Sequence, residues 1–389
     1  MECMASTESF RVSSACLWHS EYIIHSIMLL LDKCKTSASQ GSSKVLLLDR
    51  HGSEQLLCQV PCRLFNDHND MEITANTGRP AARVERVTII LNPAAGRGQG
   101  ARRRAELERL LAHEAGRASS FTPAAPVQWN IVETTAPGSG VGLAAAAVVA
   151  GADVVAACGG DGTYGEVVNG TVGSGVRLGI LPLGTGNDFA RCLGFGTDLE
   201  RAVHTLFHGT PRAVDLGRVQ GHWFINVAGC GFDAVVARRV NAQRDQPILR
   251  HIHGTAAYIT AVVQSLITFQ PAAIRLTLDG QTCEGYGMLC AVANAPSYGG
   301  GMRVAPDAEI DDGLFDLCII GDTGRLEFLR AFPRVFNGTH VTHPRVAIVR
   351  ARHIVIESDP PLPVLVDGDV LCTTPAEFTL TPHAIEVMA

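Results

Sequence analysis

Residues 154–191 constrain this chain more than any other stretch. The apolar run 154–158 ends in Cys158 and gives way at once to Gly159-Gly160-Asp161-Gly162-Thr163, the pattern of a buried strand turning tightly into a helix. Such a turn leaves backbone N–H groups exposed, and the helix N-terminus behind it adds donors and a positive dipole, so the unit suits a phosphate. Asp161 puts a carboxylate on that anion-binding surface. This makes energetic sense only if a cation such as Mg2+, or a transferable proton, mediates between the two. Residues 177–183 then read as a second strand, Gly184-Thr185-Gly186 as a second turn, and Asn187-Asp188 as the polar start of another helix. Two glycine turns at the ends of adjacent parallel strands form a nucleotide cleft.

The chain around this unit alternates strand and helix. Residues 87–91 are a buried strand and 92–98 a turn, followed by a helix over 102–115, a strand over 127–134, an alanine-rich helix over 140–150 and a helix over 199–208. This alternation predicts a parallel sheet covered on both faces. From 212 onward short β-branched strands dominate: 212–219, 223–227, 273–278, 287–293, 314–320, 346–349, 354–357, 364–366 and 377–380, with helices only over 254–268 and 325–336. A second, mostly antiparallel domain follows. The expected organisation is an extension over 1–82, an α/β domain over 83–211 and a β-rich domain over 212–389. The extension holds every lysine (Lys33, Lys35, Lys44) and five cysteines. It reads either as poorly ordered or as a small accessory module with a hairpin of 44–48 and 55–60, and Met71 is a candidate start of the functional product.

A net charge of −6 over 389 residues argues against a nucleic-acid partner. No stretch reads as a membrane span: 22–31 is about half the roughly 20 residues required, and 141–158 parses as helix, turn and strand. The 12 cysteines include no CxxC pair, so reduced cytosolic thiols are expected rather than a disulfide framework.

The order GGDGT, then LPLGTGNDFAR, resembles the diacylglycerol kinase catalytic domain family, which includes bacterial lipid kinases, sphingosine kinases and ceramide kinases. GGDGT alone is shared with NAD kinases and phosphofructokinases, and GTGNDFAR is the discriminating half. The resemblance spans residues 86–389. It implies an NAD kinase-like nucleotide-binding domain with a parallel sheet, followed by a mostly antiparallel β-sandwich. Its cofactors would be ATP and Mg2+. By the same resemblance Asn92, Pro93 and Gly96 belong to a first phosphate loop. Thr134, Gly159, Gly160, Asp161, Gly162, Thr163, Tyr164, Gly165, Thr185 and Asn187 line the nucleotide. Arg97, or the arginines of 102–104, would meet phosphate or anionic headgroups, or simply form a solvated helix turn.

Asp161 would be the indispensable acid beside the phosphates. The candidate base lies in Asp367-Gly368-Asp369, where the family carries an acidic DGE motif; here the glutamate position is Asp369, one methylene shorter, with Asp367 able to compensate. Asp-Gly is also a hairpin signal, and both readings hold together. The family's structural Mg2+ would fall to the Asp312 side chain with carbonyls of Glu309 and Leu314. Where the family has Asn before Glu166 this chain has Gly165, which removes one polar contact to nucleotide.

The expected activity is ATP-dependent phosphorylation of a hydroxyl on a diacylglycerol-like lipid, giving a phosphatidic acid-type product. The rivals are a small-molecule kinase of the NAD kinase type and a catalytically impaired nucleotide- or lipid-binding protein. The enzyme would be cytoplasmic and peripherally associated with the membrane, meeting its lipid at the surface, and a homodimer is left open.

Overall fold

The structure, a computed structural model, describes residues 43–48, 54–60, 84–120, 127–244 and 255–389. The chain divides into two compact units, 1–68 and 69–389. In the first, β1 (Ser43–Leu48) pairs antiparallel with β2 (Glu54–Val60), with a bulge between Val45 and Leu46. The apolar segment 22–31 and Met71 lie outside the described residues.

The second unit opens with a parallel sheet in the order β4-β3-β5-β6, formed by β3 (Arg86–Leu91), β4 (Gln128–Glu133), β5 (Val154–Gly159) and β6 (Arg177–Pro182). Every residue of β5 is buried, as a central parallel strand with helices on both faces requires. The first turn, α1 (Ala95–Arg102), is helical only in part, because Gly96, Arg97 and Gly98 all take left-handed φ. The regular helix therefore starts later than expected, as α2 (Arg104–Ser120). Two arginines at its start are matched within the protein: Arg103 pairs with Glu106, and Arg104 with Glu108 and Glu133. Between β4 and β5 runs α3 (Ser139–Val149), whose first amides, Gly138 and Gly140, donate to the Glu166 carboxylate at 2.8 and 2.7 Å. Glu166 belongs to α4 (Asp161–Thr171), the helix that follows β5.

After β6 come α5 (Asp188–Cys192) and α6 (Leu199–His208), the latter capped by Asp198, which accepts from the Arg201 amide. Burial of Leu199, Ala202, Val203, Leu206 and Phe207 at helical spacing fixes which face of α6 packs inward.

The antiparallel part contains β7 (Pro211–Val219) through β17 (Ala376–Met388), and it forms a β-sandwich. The apolar run expected as one strand over 223–227 is divided at Asn226 into β8 (His222–Phe224) and β9 (Val227–Gly231). A helix the sequence reading omitted, α7 (Phe232–Arg244), follows directly, ahead of α8 (Thr255–Thr268). The expected helix 325–336 is α-helical only as α9 (Arg325–Ala331) and tightens to 3-10 over Phe332–Asn337. Pro333 explains the change, since it has no N–H to continue the α-helical ladder. Among the core aromatics here, Phe224 stacks on Phe315 with ring centroids 5.7 Å apart and meets Phe378 edge to face at 6.5 Å.

Strand β17 joins the two parts. At one end it pairs with β14 (His353–Asp359), at the other Val387 meets Leu178 of β6, and β7 runs antiparallel along it. Asp215 on β7, fully buried, braces this junction by accepting from the amides of Gly313 at 2.7 Å and His383 at 2.8 Å, while its own amide donates to Ile310. Replacing Asp215 with alanine strands two backbone donors, the Gly313 amide buried and the His383 amide partly so, and we expect a loss of about 2 kcal/mol, read from the urea midpoint of Asp215→Ala against wild type.

Candidate active site

The two glycine turns touch. A Cβ on Gly184 would lie 2.4 Å from the Gly160 Cα, so neither position accepts a side chain while β5 and β6 remain neighbours. Asn187, buried and at left-handed φ, bonds both the N–H and the C=O of Gly184 through its side chain. The hydroxyl of Tyr164, also fully buried, reaches the Gly159 carbonyl at 3.1 Å and Asn187 Oδ1 at 3.3 Å. Tyr164 and Asn187, expected to line the nucleotide, thus have side chains that lock the turns to each other. Asn92 ties in the first loop, donating from Nδ2 to Thr163 Oγ1 at 3.1 Å and accepting from the Ala94 amide at 3.0 Å. Gly96 sits against the Leu183 carbonyl, Thr134 bonds back to Leu91 through its amide, and Thr185 is exposed at the second turn. Gly160 caps α4, Asp161 is its first residue, and the first-turn amides that follow, Gly162 and Thr163 among them, belong to the helix's positive end.

Asp161 does not stand alone. Its Oδ1 accepts from the Phe189 amide at 3.1 Å and from Asn226 Nδ2 at 3.4 Å. Burial, then the charge of Asp188, push its pKa up to about 6. Asp367 enters from the β-rich part at left-handed φ, on the turn between β15 (Pro363–Val366) and β16 (Asp369–Thr373). Its Oδ2 accepts from the Ile225 amide at 2.9 Å, and its Oδ1 from the amides of Asn226 at 3.0 Å and Val227 at 3.2 Å. Burial outweighs these bonds, and with the Asp161 charge it lifts the pKa to about 7. A Cβ on Gly165 would stand 3.6 Å from Asp367 Oδ2, so the asparagine that the family carries here would reach this carboxylate. Asp369, at the other side of the turn, is exposed, with His222 near it.

Asn226, which sequence reasoning missed, bridges the two acids. Its amide serves Asp367, its Nδ2 serves Asp161, and its Oδ1 is buried without a hydrogen-bond partner. The signal was an asparagine interrupting the apolar run 223–228. Asp188 was also passed over as a functional side chain. It accepts from Ser297 Oγ at 3.3 Å and from the Gly300 amide at 2.7 Å, fastening the second glycine turn to the glycine-rich loop of the β-rich part.

That loop leads to an apolar cavity. The cavity, of about 70 Å3, is lined by Phe232, Leu289, Met302, Phe328, Phe332 and their neighbours. Its polar contacts include Asp233, whose pKa burial raises to about 6 and which accepts from the Ala234 amide at 2.7 Å and from the Tyr298 hydroxyl at 3.3 Å.

The expected loop metal meets a different arrangement. Asp312 Oδ1 accepts from the Leu314 amide at 3.1 Å, and Oδ2 is paired with the Arg350 guanidinium. Nearby Asp316 has its pKa raised to about 6 by burial and by the charges of Asp307 and Glu309. The side chain expected to ligate a cation with the Glu309 and Leu314 carbonyls therefore faces an arginine, while the neighbouring Asp316 Oδ2 is buried without a hydrogen-bond partner. Between the turns, Asp161 and Asp367, whose carboxylates burial makes costly to ionise, and the orphaned Asn226 Oδ1 are hard oxygen donors that fit Mg2+.

Comparison with known proteins agrees with this geometry. Residues 86–219 match the diacylglycerol kinase catalytic domain and residues 226–389 the YegS C-terminal NAD kinase beta sandwich-like domain. A diacylglycerol kinase of Mycobacterium tuberculosis is 37% identical over 253 residues, covering 63% of this chain and 80% of that protein. A diacylglycerol kinase of Bacillus subtilis is 32% identical over 309 residues, covering 78% and 96%. The crystal structure of a diacylglycerol kinase from Bacillus anthracis shares the fold at a TM-score of 0.59 and 23% identity, over 78% of this chain and 97% of that one. With matched domains in this order and relatives at 32–37% identity covered over 80% and 96% of their length, the chain belongs to the diacylglycerol kinase catalytic domain family of kinases.

Proposed function

We propose that this kinase transfers the γ-phosphoryl group of ATP to the hydroxyl of a diacylglycerol-like lipid, giving a phosphatidic acid-type product. The observation that carries the reading is the apolar cavity. It shares the loop that fastens Asp188, so a long hydrocarbon substrate has an apolar berth beside the acid cluster, whereas a dinucleotide would find few polar partners there.

The chain's own groups divide the work. The glycine turns and the first-turn amides of α4 hold the phosphates. Mg2+ bound with the nucleotide supplies neutralisation of phosphate charge. Asn226 and the amides of 225–227 fix Asp161 and Asp367 at their stations. Asp369, exposed at the turn, takes the proton of the acceptor hydroxyl as its oxygen bonds to phosphorus and ADP departs.

Lipid entry also has support. On the segment whose Phe328, Phe332 and Val335 line the cavity, Leu326 is 70% exposed, and Phe336 projects as well. Among the described residues no helix is long and apolar enough to cross a membrane. The reading therefore has the protein meet a bilayer with this segment from one side.

Transfer of labelled phosphate to a lipid panel in mixed micelles tests the function. Asp161→Ala should lower kcat at least about 1,000-fold and Asp369→Asn about 100-fold or more, while Asp369→Glu retains activity. Label on NAD with none on any lipid would give the site to the small-molecule reading.

The acid pair also predicts a pH dependence of stability. Both folded-state pKa values lie above the ordinary aspartate value, so the folded chain holds protons that the unfolded chain has released. Their contribution to stability then falls as pH rises from about 4 through 7. Urea unfolding across that window should show a shallower decline in Asp367→Asn than in wild type.

Leu326→Asp combined with Phe336→Asp should reduce turnover on lipid vesicles about tenfold and leave a short-chain, water-soluble acceptor unaffected, as initial rates on the two substrates would show.

A further inference from the structure

Away from the glycine turns, three side chains converge on one point. Helix α6 presents His204 and His208 at i and i+4, one above the other on the same face. Helix α2 presents Glu114 to them, its side chain only 8% exposed. His204 Nδ1 lies 2.9 Å from Glu114 Oε2, and His208 Nε2 lies 3.0 Å from the same oxygen. The other carboxylate oxygen is used elsewhere, with Arg117 at 3.4 Å and His113 at 3.7 Å.

We propose that Glu114, His204 and His208 form a binding site for a divalent transition-metal ion of the zinc class, clipping α2 to α6. The donor set of two imidazole nitrogens and one carboxylate oxygen suits it: imidazole and carboxylate are ordinary zinc ligands at about 2.0–2.2 Å, which sets tetrahedral ligand atoms roughly 3.3 Å apart. The two measured nitrogen–oxygen separations are within a few tenths of an ångström of that value, and all three ligand atoms lie within 4.8 Å of one another. A second observation points to a ligand. His208 Nε2 is shielded from water and, although close to Glu114, has no hydrogen-bond partner of acceptable geometry. A buried imidazole nitrogen in that state is costly unless its lone pair is used. The His204 side chain is 49% exposed, which leaves an approach for the ion and room for water as the fourth ligand. Binding asks only that each neutral imidazole carry its proton on the nitrogen facing away, His204 on Nε2 and His208 on Nδ1.

The site is distant from the chemistry by topology. The glycine turns stand at the C-terminal ends of β5 and β6, whereas α6 returns the chain to the opposite end, where Thr210 bonds Ala389 and Val387 meets Leu178 near the start of β6. A metal here acts on the packing of α2 against α6 and so on stability.

The test uses the full chain, stripped with chelator and dialysed against Zn2+ alone, with His204→Gln/His208→Gln and Glu114→Gln in parallel. We expect one more zinc per chain in wild type than in either variant by elemental analysis, with affinity at this site about 100-fold weaker in the variants. The melting temperature of wild type, but not of the variants, should rise with Zn2+. Co2+ in place of Zn2+ should give visible d–d absorption that the variants lose, without the near-ultraviolet charge-transfer band of thiolate ligands. Equal zinc content and equal thermal shifts in all three proteins, or a thiolate band carrying all the bound Co2+, would overturn the assignment and give the metal to the cysteines.

Discussion

Two carboxylates bonded on either side of one asparagine set the terms for the rest of the structure. Burial raises the cost of ionising both; the charge of Asp188 adds to it at Asp161, and the charge of Asp161 adds to it at Asp367. The compensation is mostly backbone: three amides converge on Asp367, one on Asp161, and the side chain of Asn226 ties the two together. Such amides are available only because the strand breaks between Phe224 and Val227, leaving three successive N–H groups outside the ladder. One acid comes from the parallel part and the other from the antiparallel part, so the pair exists only while the two are fixed against each other. The continuous strand β17 and the buried brace of Asp215 supply that fixity.

This arrangement also explains why the acids belong with an anion and a cation. Protonated, they are merely buried polar groups with partners. Ionised, they need positive charge beyond what amide dipoles give. Under the proposed function a phosphate on the first turn of α4 would make the field more negative still, and a divalent ion among the three charges would offset it. At the other acidic loop Asp312 faces the covalently attached charge of Arg350.

Much of this was legible in the residues because local pattern and tertiary role coincide. Both glycine turns, the parallel strands and α6 lie where periodicity and turn chemistry put them, since each is specified by neighbours a few residues away. What was not legible depends on contacts remote in sequence. Asn226 is an ordinary asparagine until Asp161, 65 positions earlier, and Asp367, 141 positions later, arrive beside it. The helix α7 was hidden for a different reason: its arginines and asparagine read as a surface loop, yet Phe232 and Val236 are anchored in the core. Tyr164 misled in the opposite sense, because a residue inside a phosphate-binding motif is easily credited with the ligand when its task is to hold one turn to the other.

The two departures from the family's pattern fall around one short turn. Gly165 leaves Asp367 Oδ2 as the only atom a Cβ there would approach within 4 Å, and Asp369 is shorter than the glutamate it replaces. An asparagine at 165 would donate to Asp367 and favour its ionised form; without it that duty rests wholly on the amides of 225–227. Both changes remove side-chain bulk around the same turn, and they leave Asp367 held by backbone amides alone.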